Sequence, residues 1–141
     1  MGIKKLFIVG VGRSGTTLLQ SMLNSHPEIC FTPETHFIKR YLVPQLSGLK
    51  TFSKDSFLKT LKEDEYLKRL NISFDIILDK FNANLSDKDF VSIFDTILDS
   101  YAKAQNKLIV GDKDPMNSSY VSHIKYSFPD SYLIHIIRDP R

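Results

Sequence analysis

Apolar residues near both ends of the chain gather in short runs that are typical of buried β-strands. Four such runs predict strands over residues 6–9, 29–31, 108–110 and 132–137. Apolar residues spaced three or four apart predict helices over residues 16–23, 33–42 and 118–127. Strands that alternate with helices favour an α/β fold with a parallel, P-loop-like sheet. Right-handed crossovers would then bring the carboxyl ends of the strands to one side.

The middle of the chain has a different pattern, which is helical and amphipathic from about residue 50 to residue 106. Phe57 and Leu61 share one helical face, and either Ser86 or Asp87 is a good residue to cap a helix that follows it. We therefore predict a single domain over residues 1–141, in which residues 43–106 form a helical insertion.

The last apolar run predicts an interior strand, yet the sequence ends only four residues after it, at Arg141. An interior strand needs a further strand or helix to cover it. We therefore expect the domain to be partial, incomplete at its C-terminus, and the 141 residues alone to be inactive. A non-catalytic nucleotide-binding fragment remains an alternative on the same grounds.

The composition and the net charge of the chain limit the classes of ligand and partner that it could bind. The apolar fraction of 42% and the charged fraction of 25% are those of an ordinary globular protein. A net charge of +3 suits an anionic ligand but is too small to indicate nucleic acid. The single cysteine, Cys30, excludes an internal disulfide, and no apolar run approaches the roughly 20 residues of a membrane span. Without an N-terminal anchor, a cytoplasmic location is favoured.

The glycine-rich segment 10–17 follows the first strand and leads into a helix. Free N–H groups at a helix start bind anions, and glycines let the backbone approach phosphate oxygens. The segment matches the nucleoside triphosphate loop except that Thr16 replaces the lysine, which argues against an ATPase or kinase. It also matches G-x-G-x-x-G, with Glu34 near the position of a ribose-binding acid. A dinucleotide-dependent oxidoreductase is therefore a second hypothesis.

Two details of this segment favour a phosphate or sulfate ligand over a dinucleotide. Arg13 places a cation in the loop, where dinucleotide-binding loops keep small neutral contacts. Thr16 and Thr17 add two hydroxyl groups at the start of the helix, where extra donors suit an anion. A purely structural glycine turn is the third alternative.

With these residues the chain resembles the sulfotransferases that use 3′-phosphoadenosine-5′-phosphosulfate (PAPS). The likeness is to the tyrosylprotein sulfotransferases and to a bacterial group with a Pro-Glu-Thr motif, and residues 39–107 lie outside it. Segment 7–19 is similar to the family's phosphosulfate-binding loop. Four further segments follow in the family's order, at residues 25–28, 33–35, 113–115 and 128–141.

The resemblance implies the catalytic residues. Glu34 would take the proton of the acceptor hydroxyl, while Arg13 and Lys113 would stabilise the sulfuryl group during transfer. Each also has a simpler interpretation. Glu34 would be an acid at a helix start, Arg13 a solvated loop residue, and Lys113 a lysine paired with a neighbouring aspartate.

The resemblance also implies the residues that contact the sulfuryl donor and the acceptor. Arg138 would bind the 3′-phosphate, and His36 and Arg40 would contact the acceptor, which is a glycan, a lipid, a small molecule or tyrosine. Neither the family nor the spacing of the four histidines indicates a metal. The 5′-phosphosulfate would be bound by Gly12, Arg13, Ser14, Gly15, Thr16 and Thr17.

Overall fold

Four strands form one parallel sheet in the computed structural model, which describes residues 2–139. In space the strands follow the order β2-β3-β1-β4, and each neighbouring pair is parallel. The prediction of an α/β fold with a parallel sheet flanked by helices is confirmed. The strands are β1 (Lys4–Gly10), β2 (Ile29–Phe31), β3 (Ile109–Lys113) and β4 (Tyr132–Ile136).

Helices connect the strands and form the middle of the chain. Helix α1 (Thr16–Asn24) joins β1 to β2, and a 3₁₀ turn (Pro115–Tyr120) followed by α7 (Val121–Ser127) joins β3 to β4. Across residues 2–139, no helix combines the length and the apolar character that crossing a membrane requires. Between β2 and β3 lie a π-helical turn (Ile38–Leu42), α2 (Val43–Leu46), α3 (Lys54–Glu63), α4 (Glu65–Lys68), α5 (Phe74–Asp79) and α6 (Asp87–Ala104).

Side-chain caps explain where the middle helices begin. The hydroxyls of Ser53 and Ser73 accept N–H groups in the first turns of α3 and α5. Ser86 starts α6 with a capping box, in which Asp89 bonds back to the Ser86 N–H. The prediction that Ser86 caps this helix is confirmed.

The predicted helix over residues 33–42 is wrong at its start. Residues 33–36 are not helical, and the first helical residue is Phe37, whose N–H donates to the Thr35 hydroxyl at 3.2 Å. Pro33 disfavours helical geometry at Thr32. Thr32 and Thr35 also donate to Asp112 on β3, which ties the segment to the end of the sheet. Glu34 is therefore not an acid at a helix start.

Two strands differ from their predicted bounds. β3 continues through Lys113, which the sequence interpretation placed in the loop after the strand. β4 ends at Ile136, one residue before its predicted end, and lies at an edge of the described sheet, where it is only partly buried. Both differences arise because apolar runs mark only the buried part of a strand, and backbone pairing sets its actual ends.

The two faces of the sheet are covered differently, as the alternation of side chains along β1 requires. Phe7 and Val9 face the larger core, which the middle helices complete with a cluster of aromatic rings. In that cluster, the rings of Phe37 and Phe94 stack at 4.5 Å between centroids. Leu6 and Ile8 face the smaller core under α1. The carboxyl ends of β1 and β3 are thereby held between two packed layers.

Gly111 on β3 gives a direct test of this packing. A Cβ on Gly111 would lie 2.1 Å from the ring of Phe31, which is itself buried. We expect Gly111→Ala to lower the free energy of unfolding by about 3 kcal/mol, because overpacking a core forces side chains and backbone to shift. Urea unfolding measures the effect. Gly2→Ala, where a Cβ meets nothing within 4 Å, is the control, and equal stability of the two variants would contradict the packing.

Candidate active site

The loop between β1 and α1 has the backbone geometry of an anion-binding loop. Arg13 and Gly15 have positive φ angles of 64° and 96°, and the Ser14 N–H donates to the Val11 carbonyl at 3.2 Å. No side chain of residues 2–139 caps α1, so the N–H groups of its first turn face outward without such a partner. These are the groups that bind anions at a helix start.

Gly10 makes the tight passage from β1 into this loop possible. A Cβ at this position would lie 3.0 Å from Cγ2 of Thr16 and 3.1 Å from the carbonyl oxygen of Ile136. The Gly10 N–H donates to the Ser118 hydroxyl at 2.9 Å, and that hydroxyl donates to the Gly10 carbonyl at 2.9 Å. Sequence reasoning missed Ser118, because nothing local shows that this serine contacts a loop 108 residues earlier.

Lys113 connects the loop to Glu34. It is the last residue of β3, only 6% exposed, and β3 lies directly beside β1 in the sheet. Its Nζ lies 2.6 Å from Oε1 of Glu34 and 3.4 Å from Oγ1 of Thr17. The simpler interpretation, in which Lys113 pairs with a neighbouring aspartate, is wrong. The structure thus brings a buried cation, the predicted base and the first helical turn after the loop to one place.

Glu34 is held by its backbone while its carboxylate faces the site. The Arg69 guanidinium donates to the Glu34 carbonyl at 2.9 Å. The side chain is 35% exposed, so an acceptor can approach the carboxylate oxygen that does not bind Lys113. This combination of a fixed backbone and an accessible carboxylate suits a general base.

His36 lies beside Glu34 and makes a short hydrogen bond on its other side. Its Nδ1 is 2.5 Å from Oδ2 of Asp114, and its Nε2 is 3.9 Å from Oε2 of Glu34. Asp114 is 1% exposed, and its Oδ1 accepts the Met116 N–H at 3.0 Å. The sequence interpretation did not include Asp114 in the site.

A second buried aspartate, Asp112, anchors the segment that carries Glu34. It accepts hydrogen bonds from Thr35 at 3.3 Å and from Asn117 at 3.0 Å, and Thr32 adds a third. Complete burial, reinforced by the nearby Asp114 carboxylate, raises the pKa of Asp112 to about 6. The network joins the end of β3 to the backbone on both sides of Glu34.

Arg40 lies farther along the same surface. Its guanidinium pairs with Asp64 at 2.6 Å and lies 5.5 Å from the centroid of the Tyr66 ring. The rings of Tyr66 and His36 in turn pack in a T-shaped arrangement, with 4.4 Å between their centroids. Arg40 remains 42% exposed, so its predicted contact with an acceptor stays a prediction.

A cavity of about 470 Å³ opens between the anion-binding loop and the end of β4. Arg138 contributes to its wall and donates to the Arg13 carbonyl at 3.3 Å. Two cations that the sequence interpretation assigned to opposite ends of the donor thus line one cavity. Gly12 and Ser14 of the predicted loop also line the cavity. The lining residues that the sequence interpretation did not include are Val11, His135, Ile136, Ile137 and Asp139.

Glu34, His36 and Asp114 form a group with metal-ligand chemistry, since one ligand atom from each lies within 4.8 Å of the others. The Lys113 ammonium already contacts Glu34, and the His36 ring is hydrogen-bonded to Asp114. The Lys113 ammonium, 2.6 Å from Oε1 of Glu34, would repel a divalent cation bound at that carboxylate. We therefore assign these side chains to proton transfer and hydrogen bonding, and not to the binding of a metal.

Comparison with known families identifies the family to which this chain belongs. Residues 5–141 match the family model described as the sulfotransferase family, which covers nearly the whole chain. The chain therefore belongs to the sulfotransferase family, and the resemblance noted in the sequence is confirmed. Sulfotransfer is the general activity that this membership supports.

Two curated relatives match shorter segments. Protein-tyrosine sulfotransferase 2 of Gallus gallus is 46% identical over 46 residues, which are 33% of this chain and 12% of that protein. Protein-tyrosine sulfotransferase A of Caenorhabditis elegans is 54% identical over 37 residues, which are 26% of this chain and 10% of that protein. The chain thus aligns with only about a tenth of the length of each relative.

Proposed function

We propose that the protein transfers the sulfuryl group of PAPS to a hydroxyl acceptor, with Glu34 as general base. The observation that supports this most directly is the position of Lys113 between Thr17 and Glu34. A cation at that point can contact the sulfuryl group both while it is bonded to the donor and as it bonds to the acceptor oxygen. Family membership supports sulfotransfer in general and removes the reason to consider a dinucleotide-dependent oxidoreductase.

The residues around the loop fit the two charged ends of PAPS. The first turn of α1, together with Gly12, Arg13, Ser14 and Gly15, would hold the 5′-phosphosulfate through N–H groups and one guanidinium. Thr16 is buried, so of the two threonines Thr17 offers the more accessible hydroxyl. Arg138 would hold the 3′-phosphate across the cavity of about 470 Å³. The uncapped helix start and the two arginines are the features of this structure that fit such a donor.

When bound, PAPS supplies an activated sulfuryl group, whose S–O bond to the 5′-phosphate breaks as the acceptor oxygen bonds to sulfur. Glu34 takes the proton from the acceptor hydroxyl, which makes that oxygen nucleophilic. Lys113 and Arg13 stabilise the negative charge on the transferring group and on the leaving phosphate oxygen. For Lys113 this requires its ammonium to exchange its contact with Glu34 for one with the donor.

The acceptor is a hydroxyl-bearing molecule. Both relatives are named for protein tyrosine, so a tyrosine peptide is the first acceptor to assay, followed by glycan, lipid and small-molecule hydroxyls. Arg40 is our candidate for a contact with that acceptor. A single sulfotransferase domain with a helical insertion at residues 43–106 and a cytoplasmic location stay predictions.

Arg138→Ala tests the assignment of the donor. We expect calorimetric binding of 3′-phosphoadenosine 5′-phosphate (PAP) to the full-length protein to weaken about 10- to 100-fold. A hydrogen-bonded charge contributes about 1.5–3 kcal/mol. Binding of adenosine 5′-phosphate, which lacks the 3′-phosphate, should barely change, and NAD should bind to neither protein.

Lys59→Ala is the matched control, because it removes an exposed cation from α3. We expect it to bind PAP as the wild type does. Equal affinity of the wild type for PAP and adenosine 5′-phosphate would contradict the proposal. PAP binding without transfer to any acceptor would instead indicate a non-catalytic nucleotide-binding protein.

A further inference from the structure

The hydrogen bond between His36 and Asp114 has no role in the transfer step described above. A carboxylate at 2.5 Å from Nδ1 accepts the proton on that nitrogen. In the neutral ring, Nε2 then carries a lone pair and acts as an acceptor. That nitrogen is the one that faces Oε2 of Glu34, at 3.9 Å.

The orientation of the His36 ring is constrained from several sides. Its backbone has a φ of 52°, a left-handed conformation that is uncommon for residues other than glycine. Such backbone conformations persist where the surrounding structure enforces them, and they cluster at functional sites. The Tyr66 ring packs against the imidazole in a T-shaped arrangement, at an interplanar angle of 88°. Asp114 is buried and is itself held by the Met116 N–H, so it cannot easily follow a movement of the ring.

The two oxygens of Glu34 have different partners. Oε1 contacts the Lys113 ammonium, which carries no lone pair and cannot take a proton. Oε2 faces His36. Among the described residues, the titratable and charged groups that face His36 or its immediate partners come from four elements. Apart from the carboxylates, His36 itself is the only one of these groups that can accept a proton. They are Glu34 on its own segment, Tyr66 and Arg69 at α4, Lys113 and Asp112 on β3, Asp114 after β3, and Arg40 in the π-helical turn.

We propose that His36, held by Asp114, takes from Glu34 the proton that the acceptor has lost and passes it to solvent. The inference rests on the proposed function and extends it to the recovery of the base. The Glu34 O–H bond breaks as an N–H bond forms at Nε2, and Asp114 stabilises the resulting imidazolium. The distance of 3.9 Å between Nε2 of His36 and Oε2 of Glu34 shortens when the Glu34 carboxyl group rotates, once the Lys113 ammonium has turned to the donor. The His36 side chain is 21% exposed, which gives the proton an exit.

This role is an alternative to the contact of His36 with the acceptor, which stays a prediction. Because Nδ1 is bound to Asp114, Nε2 is the ring nitrogen that is left for Glu34 or for an acceptor. Asp114 is then a positioning residue, because it acts through His36. The Asp114–His36 pair would be needed in each turnover but would not affect binding of the donor.

Asp114→Asn in the full-length protein tests the inference. The amide oxygen can still accept the Met116 N–H, so the 3₁₀ turn keeps its cap. The amide NH₂ would face Nδ1 and force the proton of the neutral ring onto Nε2. We expect kcat to fall about 100-fold, the lower end of what general acid–base catalysis contributes, and the PAP affinity to stay within about twofold. Long-range ¹H–¹⁵N NMR of the imidazole, which is independent of activity, should show the Nδ1–H form in the wild type and the Nε2–H form in the variant.

His36→Gly supplies a second variant, because glycine adopts the left-handed backbone without strain. We expect added imidazole to restore at least about a tenth of the lost activity, since a proton acceptor can diffuse into the vacated space. A side chain that only shapes the site would not be replaced in this way. His26→Gly, at an exposed histidine outside the site, should neither lose activity nor respond to imidazole.

The outcomes separate the inference from the function on which it rests. A wild type that transfers sulfate, combined with an Asp114→Asn variant that switches tautomer yet keeps its rate within threefold, overturns the inference alone. An Nε2–H ring in the wild type, or a His36→Gly variant that imidazole does not rescue, also overturns it. A wild type that transfers no sulfate to any acceptor class overturns the proposed function and this inference together.

Discussion

Glu34→Gln is expected to lower kcat for sulfuryl transfer by about 10³-fold, with PAP binding nearly unchanged. General base catalysis contributes about 10²- to 10⁴-fold, and the amide cannot accept the proton of the acceptor. The substitution keeps the size and shape of the side chain, and the amide oxygen can still accept a hydrogen bond from Lys113. The donor loop, on the opposite side of Lys113, should therefore be unaffected. Single-turnover transfer from PAPS measures the rate, and calorimetry measures PAP affinity.

Glu63→Gln is the matched control for this variant. Glu63 is the exposed last residue of α3, and the same change there should leave both the rate and the PAP affinity as in the wild type. A Glu34→Gln variant that turns over at more than about a tenth of the wild-type rate would mean that another group takes the acceptor proton. Loss of PAP binding in the same variant would mean instead that Glu34 shapes the donor site.

Lys113→Met is expected to lower kcat by about 10²- to 10³-fold. Removing one preorganised group that stabilises transition-state charge costs that much in other enzymes. Methionine fills most of the space of the buried lysine stem, so the end of β3 should keep its packing. Glu34 loses its cation, but at 35% exposure its carboxylate can be hydrated instead. PAP lacks the sulfuryl group, so its affinity should fall by no more than about threefold.

Lys59→Met, at an exposed lysine of α3, controls for the loss of one positive charge. We expect it to match the wild type in rate and in urea unfolding. A Lys113→Met variant with at least a third of the wild-type rate would show that the ammonium plays no part in transfer. A large fall in the free energy of unfolding of Lys113→Met would show that the Lys113–Glu34 ion pair stabilises the fold and is not specific to sulfuryl transfer.

Local sequence was sufficient to predict a feature where the residues that carry its chemistry and those that set its backbone geometry belong to one short segment. The loop at residues 10–17 was predicted from glycines, a cation and hydroxyls that lie next to one another in the chain, and it adopts the positive φ angles of an anion-binding loop. Ser86 was predicted as a cap because capping depends on a hydroxyl and the N–H groups two or three residues later. Glu34 was selected by resemblance, but its surroundings were predicted wrongly.

The errors share a physical cause, which is that contacts between distant residues overrode local preference. Apolar spacing predicted a helix from residue 33, yet hydrogen bonds from Thr32 and Thr35 to Asp112 hold that segment on the sheet. Nothing near Asp114 or Ser118 in the sequence indicates that one holds His36 and the other holds Gly10. The His36–Asp114 contact spans 78 residues and depends on β3 lying beside β2, and the Gly10–Ser118 contact spans 108 residues and depends on β3 lying beside β1.

By itself, the sequence determined the class of fold, the position of the glycine-rich loop and the set of candidate residues, because periodicity and residue chemistry are local properties. Only the tertiary structure decided how those residues combine. Parallel pairing of β1 with β3 brings Lys113 to Thr17, and parallel pairing of β2 with β3 brings Lys113 to Glu34 and Asp114 to His36. The distances between these groups depend on strand order and on burial in two cores. Neither can be read from residues that lie some 80 positions apart.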